Sequence, residues 1–435
     1  MRVGNGASPW KCPRRTRRRW VRSRGPRTRA RRSRQGSQAS PFSATPPVGT
    51  GRSRCRSQGG GVEGRAAFSH GVPNSWADHH GWEAHFAPRG SKEPVRTIRY
   101  PPLPIAQETT VSDAETAENL TTLAKHLAAQ DLDPGLATVL EGLALGCKAI
   151  GHRVRRARIE DVVGVAGGEN VFGEIQQKLD VLSDEVLLQC LRDAPAAAVY
   201  ASEEQDGPVV LRTASEGGRF AVLADPLDGS SNIDVAVSVG TIFSVLPNDK
   251  PDDETGMAVL QPGRNQVAAG YVLYGSSIVL VLATEAGVDM FTLDPMLGDF
   301  VLVLAKIEIP QEKKIYSINE AYVNDFDEGL RDYLAFVHES GYGARYIGSM
   351  VADVHRTLLK GGVFIYPATG KSPQGKLRLM YEGNPMGYVI ERAGGAASAG
   401  RGPILDRIPS EVHERTPVIV GSAAEVDHVT RRTHP

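Results

Sequence analysis

From residue 113 onward the chain alternates apolar and polar positions in readable periods, and before it no period holds. Asp113 to Ala129 predicts a first helix, with Ser112 or Asp113 as its cap. A second helix opens at Asp133-Pro134, a capping carboxylate followed by proline at the first helical position. Leu136, Val139, Leu140, Leu143, Cys147, Ile150 and Val154 keep its period, and Arg153, Arg155 and Arg156 suit the negative end of its dipole. Asp161 to Gly173 predicts a Gly-rich loop and Leu179 to Leu191 a third helix. Then strands enter. Ala196 to Ala201 is an apolar run ending in Ser202-Glu203-Glu204, and Phe220 to Ala224 is another. Val235 to Leu246 predicts a β-branched strand, and Val267 to Ala283 two strands about Gly275-Ser276-Ser277. Asp325 to Glu339 and Met350 to Lys360 are helical in period, and Val363 to Tyr366 is a short strand. Asn384-Pro385 starts a helix that stops at Gly394-Gly395, and Val418 to Val420 is a last strand. Helices and strands mix throughout without an internal repeat, so the class is layered α/β.

Composition changes the picture mainly at the N-terminus. Arg, Ser, Gly and Pro dominate residues 1–107, and such a stretch cannot bury enough apolar surface to fold alone. A disordered extension is expected there. Residues 1–60 carry sixteen Arg and Lys11 but no Asp or Glu; the chain is neutral overall, so the remainder holds seventeen net negative charges. Three readings of the extension stay open: an organelle transit peptide, a basic arm for nucleic acid or membrane surfaces, or a stretch absent from the mature protein. Nothing aromatic or foldable accompanies its charges, which disfavours the basic arm, and no nucleic-acid partner is expected. No apolar run approaches the roughly 18 residues of a membrane span, and no membrane partner is expected either. The expected location is cytoplasmic, or a chloroplast or other organelle if residues 1–107 act as a transit peptide. Cys12, Cys55, Cys147 and Cys190 form no C-x-x-C pair; Cys147 and Cys190 fall on apolar helical faces and are expected as buried free thiols.

The candidate chemistry centres on Asp225-Pro226-Leu227-Asp228-Gly229-Ser230-Ser231-Asn232, directly after an apolar run of strand length. Carboxylate oxygens at a strand end suit Mg²⁺ or Mn²⁺. Gly229 lets a ligand approach the backbone, and Gly-Ser-Ser offers N–H groups and hydroxyls to a phosphate. By itself the stretch reads equally as an ordinary acidic turn. Glu203, Glu204 and Glu382 add carboxylates beside run or helix ends, as holding two cations against a phosphomonoester requires. A basic and aromatic set follows: Arg345, Tyr346, Tyr366, Lys376 and Arg378. In Lys376-Leu377-Arg378-Leu379 the two cations alternate, so a strand would turn both to one side, near Glu382.

The ordered motifs resemble class I fructose-1,6-bisphosphatase over residues 110–425. They are Gln177-Lys178-Leu179-Asp180-Val181-Leu182-Ser183, Ala201-Ser202-Glu203-Glu204, Asp225 to Asp234, Val239 to Phe243, Tyr342 to Arg356 and Lys371 to Met386. The Asp-Pro-Leu-Asp-Gly-Ser motif alone reaches only the wider superfamily that includes inositol monophosphatases. The resemblance implies a layered α-β-α-β-α sandwich, with 108–305 carrying the metal site, 306–425 the sugar-phosphate site and 426–435 a tail. It implies Glu203, Asp225, Asp228, Glu382 and the Leu227 carbonyl as ligands of two or three Mg²⁺ ions, Mn²⁺ being an alternative. Asp180 and Glu204 match acids that orient and deprotonate the attacking water, and Glu174 matches a loop acid. Gly229, Ser230 and Ser231 match the cradle of the departing phosphate. Asn319, Tyr322, Tyr346 and Tyr366 match contacts to a distal phosphate, Arg345 one that crosses from a neighbouring subunit, and Lys376 and Arg378 groups reaching sugar and phosphate. A homotetramer and a sugar bisphosphate substrate follow from the same resemblance. A sedoheptulose-1,7-bisphosphatase or dual enzyme is the competing enzyme, and a non-catalytic regulatory homologue the competing class.

Overall fold

The computed structural model describes residues 120–433 except 161, 163, 170–174, 250–252 and 254, together with the backbone of the strands Glu83–Phe86 and Arg96–Arg99. Two compact units divide the chain, Met1–Ile105 and Ala106–Pro435. In the first, Glu83–Phe86 pairs antiparallel with Arg96–Arg99. The sequence reading placed no strand there, because four-residue runs inside Arg- and Gly-rich sequence carry too few positions to show a period.

The second unit opens with α1 (Leu123–Ala129), α2 (Pro134–Arg156) and α3 (Lys178–Arg192). The first helix is shorter than the predicted Asp113 to Ala129: Thr122 is its cap, accepting from the Lys125 amide, and residues 113–119 lie outside the described residues. Helix α2 starts as predicted. The Asp133 carboxylate accepts from the Gly135 and Leu136 amides at 2.7 and 3.3 Å and pairs with Arg219 at 2.6 Å. The predicted Gly-rich loop contains a strand instead, Val165–Glu169, paired with Ile175–Gln177.

Eight strands follow: β1 (Ala197–Ser202), β2 (Val209–Val210), β3 (Phe220–Asp228), β4 (Val239–Pro247), β5 (Ala268–Tyr274), β6 (Ile278–Thr284), β7 (Gly287–Asp294) and β8 (Asp299–Leu304). They form one sheet in the order β8-β7-β6-β5-β4-β3-β1-β2, antiparallel except for β1 beside β3. Strand β4 starts later than the predicted Val235, because Ser230–Val235 coils into a short 3₁₀ turn. Strands β7 and β8 had no counterpart in the sequence reading.

The C-terminal half supplies β9 (Ile315–Ser317), α4 (Glu328–Glu339), β10 (Gly343–Ala344), α5 (Met350–Lys360), β11 (Val363–Tyr366), α6 (Asn384–Arg392), β12 (Ala396–Ser398), β13 (Val418–Gly421) and α7 (Ala423–Thr433). Its sheet runs β10-β9-β11-β13-β12. Side-chain alternation builds the layers. In β13, Val418 and Val420 join the core between the two sheets, where α5 and α6 lie, while Ile419 faces α4 and α7 beyond. On the far side of the large sheet, α1, α2 and α3 pack through Leu127, Val139, Leu143 and Leu187. The order is therefore α-β-α-β-α, as the resemblance implied. One boundary is corrected: residues 426–433 belong to α7 rather than to a tail, since Val426 and Val429, one helical turn apart, are buried and hold that helix to the sheet.

Every described apolar cluster lies between Leu123 and Val429. Residues 108–435 produced alone will therefore be soluble and folded with the thermal midpoint of the full chain. Scanning calorimetry checks this, and a fall of more than about 5 °C, roughly 3–4 kcal/mol for a chain of this size, places the boundary wrongly.

Candidate active site

The site grows from a fault in the strand ladder. Residues alternate faces along β3: Val222 and Ala224 enter the core under α2 and α3, and Ala221 and Leu223 point the other way. Asp225 and Asp228 are three residues apart, so a regular strand would put them on opposite faces. The register against β4 shifts between them: Asp225 is opposite Ile242 and Asp228 opposite Gly240, leaving Pro226 and Leu227 against Thr241 alone. This one-residue bulge restores the lost half-period. Leu227 drops into the helix-side core, and Asp228 turns to the face of Asp225. There Asp225, Asp228 and Glu382 offer oxygens that all lie within 4.8 Å of one another.

Backbone amides fix all three carboxylates. Leu227 N–H donates to Asp225 Oδ1 at 2.9 Å, and Val351 N–H, from the first turn of α5, donates to Asp228 Oδ2 at 2.9 Å. Gly240 permits that approach, since a Cβ there would lie 2.8 Å from Val351 Cγ1. Glu382 lies on a wide helical turn, Leu379–Gly383, that runs into α6, and it accepts from the Arg378 amide at 2.5 Å. Strand β1 runs parallel to β3 with Ser202 opposite Ala224, and Glu203 N–H donates to Ala224 O at 3.1 Å, which carries Glu203 and Glu204 to the level of Asp225. Asp180, in the first turn of α3, accepts from Ser230 Oγ at 3.2 Å.

Burial and mutual repulsion push the acids up. Asp225 lies well above the usual carboxylate range, first through desolvation and then through Glu203, Asp228 and Glu382. Glu382 is raised likewise, by burial and then by Glu203 and Asp228. Asp228 is pushed up to about 7 by burial, against the pull of the Val351 amide. Buried carboxylates that destabilise one another's charge are stabilised by a divalent cation, which takes oxygen ligands. The donor set thus fits Mg²⁺ or Mn²⁺.

These groups line a cavity of about 490 Å³, with Asp180, Glu204, the Leu227 backbone, Gly229, Ser230, Ser231, Tyr346, Tyr366 and Lys376 around them. Gly229 takes a left-handed turn at φ 74° before Ser230–Val235, a conformation that favours glycine. A second pocket of about 150 Å³ shares Tyr366 and Lys376 and adds Asn319 and Tyr322. Burial raises Tyr366 to about 12 and raises Tyr346 as well, so both phenols stay protonated donors at neutral pH.

Two predicted residues sit elsewhere. Arg378 lines neither cavity: only 2% exposed, it is drawn beneath the site, where Nε meets Glu203 Oε1 at 3.2 Å. The alternation argument for a shared face with Lys376, which is exposed, fails because the strand is only Leu377–Arg378 and the half-buried Glu203 attracts the guanidinium. Arg345 is exposed and outside both cavities, with Nη1 donating to Ala344 O at 2.7 Å. Glu174 lies outside the described residues. Sequence reasoning missed Ser349, Met350 and Asp353, which line the cavity. Asp353 accepts from the Ile347 and Gly348 amides and from Ser317 Oγ, and so holds the loop that carries Tyr346. The only local signal was a Ser before an amphipathic helix.

The chain is similar to known proteins over both of its halves. The model of the fructose-1-6-bisphosphatase N-terminal domain matches residues 117–305, and that of the C-terminal domain 309–434. Fructose-1,6-bisphosphatase 1 of Bos taurus is 48% identical over 293 residues, covering 66% of this chain and 86% of its own length. A class 1 fructose-1,6-bisphosphatase of Salinibacter ruber is 50% identical over 295 residues, covering 65% and 82%. The crystal structure of Leishmania major fructose-1,6-bisphosphatase in holo form superposes with a TM-score of 0.70 at 37% identity, covering 73% of this chain and 99% of that one. With both halves matched in order, the chain belongs to the fructose-1,6-bisphosphatase family.

Proposed function

We propose that this chain hydrolyses the 1-phosphate of D-fructose 1,6-bisphosphate, releasing fructose 6-phosphate and inorganic phosphate, with Mg²⁺ as cofactor. The observation that carries the reading is the convergence of Asp225, Asp228 and Glu382 within 4.8 Å in a cavity that adjoins a second, Tyr- and Lys-lined pocket. One cavity suits the phosphate that leaves and the other the phosphate that stays. Asp225, Asp228, Glu382, Glu203 and the Leu227 carbonyl would hold the cations, which supply charge neutralisation and a more acidic water. Asp180 and Glu204 face the same cavity, and either carboxylate can take the proton of the attacking water. Ser230, bonded to Asp180, orients that carboxylate, while the backbone at Gly229, Ser230 and Ser231 receives the phosphate oxygens. Lys376 and the hydroxyls of Tyr322, Tyr346 and Tyr366 donate to the sugar and its distal phosphate, with Asn319 beside them. Arg378 acts from below, as a counter-charge to Glu203.

Arg345, exposed and outside both cavities, suits a role towards a neighbouring subunit of a homotetramer. Light scattering should return four times the chain mass, and a monomer mass would remove that role.

Asp228→Ala removes a carboxylate from the acid cluster and should cut turnover by roughly 100-fold or more, since even losing a group that only supports a metal ligand costs about 10–100-fold. Phosphate release from fructose 1,6-bisphosphate in saturating Mg²⁺ measures it; near-normal turnover would sink the assignment.

Acidity supplies a further check. Asp228 rises from 3.8 to about 7 without a cation, so the folded chain keeps a proton that the unfolded chain has lost. The stability this group contributes is fully present below about 3.8 and is lost as pH rises through about 7. A cation must displace that proton, so the Mg²⁺-induced rise in thermal midpoint should be larger at pH 8 than at pH 6, read by scanning calorimetry. A rise that is equal or larger at pH 6 would contradict the linkage.

A further inference from the structure

Beneath the central bulge runs a buried chain of hydroxyls that the reaction above does not use. Pro226 and Leu227 oppose Thr241 alone, so the ladder has one residue too many at this point. Thr241, fully buried, donates its hydroxyl to Pro226 O at 2.8 Å. That carbonyl can only accept, so the Thr241 proton is committed. The Tyr274 hydroxyl, 2.8 Å from Thr241 Oγ1, must therefore donate to it. Beside both lies the Cys147 thiol of α2, also fully buried. Residues of three elements, α2, β4 and β5, thus meet behind the backbone between the two acids, and Thr241 bonds the Pro226 oxygen. A bulge leaves backbone polar groups out of the ladder, and a buried carbonyl without a partner costs about 1–3 kcal/mol. Pro226 has no N–H with which a competing register could form a ladder bond, and its carbonyl is held by the Thr241 hydroxyl.

We infer that Thr241 is a positioning residue for the divalent cation: through the Pro226 carbonyl it holds the bulge that turns Asp225 and Asp228 to one face, with Tyr274 fixing its hydroxyl. The inference rests on the metal-dependent reading above, and it assigns to the helix side of the sheet a role in chemistry on the opposite side.

The test pairs Thr241→Val, which keeps the shape and removes the hydroxyl, with Thr241→Ser, which keeps the hydroxyl. Mn²⁺ binding to the full chain is measured by isothermal titration calorimetry, beside kcat and KM for fructose 1,6-bisphosphate. T241V should bind Mn²⁺ about 10-fold more weakly and lose kcat in parallel, with KM within about 2-fold, as second-shell changes at metal sites do. T241S should recover most of both. Tyr274→Phe should shift Mn²⁺ binding in the same direction by less, and it carries the test if T241V does not fold. Wild-type Mn²⁺ affinity in T241V, or in Y274F where T241V does not fold, overturns the inference. T241S as damaged as T241V overturns it too, because packing rather than the hydroxyl would then be the cause. Wild-type protein that takes up no Mn²⁺ overturns the metal reading and this inference with it, and so separates the two failures.

Discussion

The whole site depends on one constraint: two carboxylates three residues apart on a strand must face the same way. A regular pleat forbids it, since side chains alternate. The bulge between Asp225 and Asp228 permits it, and neighbouring elements are placed to exploit the result. Parallel β1 brings Glu203 and Glu204 alongside, α5 offers the Val351 amide to Asp228, and the wide turn before α6 delivers Glu382. A sheet of mostly antiparallel strands here carries its chemistry at a defect, where the backbone leaves the ladder and can re-aim a side chain.

The second constraint is electrostatic. Gathering acids in a buried place costs stability, and Asp225, Asp228 and Glu382 are all raised by burial and by one another. Backbone amides from Leu227, Val351 and Arg378 offset part of that cost, and the Arg378 guanidinium offsets more at Glu203. A divalent cation held there would offset more of it, and the free energy that burial costs the folded chain would become affinity for metal.

Much of this was legible in the sequence because it is local. The period from Leu136 to Val154 gave α2, Asp133-Pro134 gave its start, and Val418 to Val420 gave β13. Asp-Pro-Leu-Asp-Gly-Ser announced carboxylates and a phosphate-friendly turn together. What stayed hidden depends on partners distant in sequence. Register is a property of two strands, so no reading of β3 alone predicts that Pro226 and Leu227 share Thr241. Asp353 looks like one more helical acid until the Ile347 and Gly348 amides fold back on it. Arg378 reads as sharing a strand face with Lys376 until Glu203, 175 residues earlier, is found to draw its guanidinium beneath the cavity. Helix α7 was overlooked because its apolar face is narrow, two valines among charged residues.

Anomalous diffraction from crystals soaked in Mn²⁺ tests the central claim most directly. The account predicts a peak within roughly 2.5 Å of oxygens from Asp225, Asp228 and Glu382 together, with the Pro226 carbonyl turned away towards Thr241. A peak elsewhere, or Asp225 and Asp228 found on opposite faces of their strand, would contradict it.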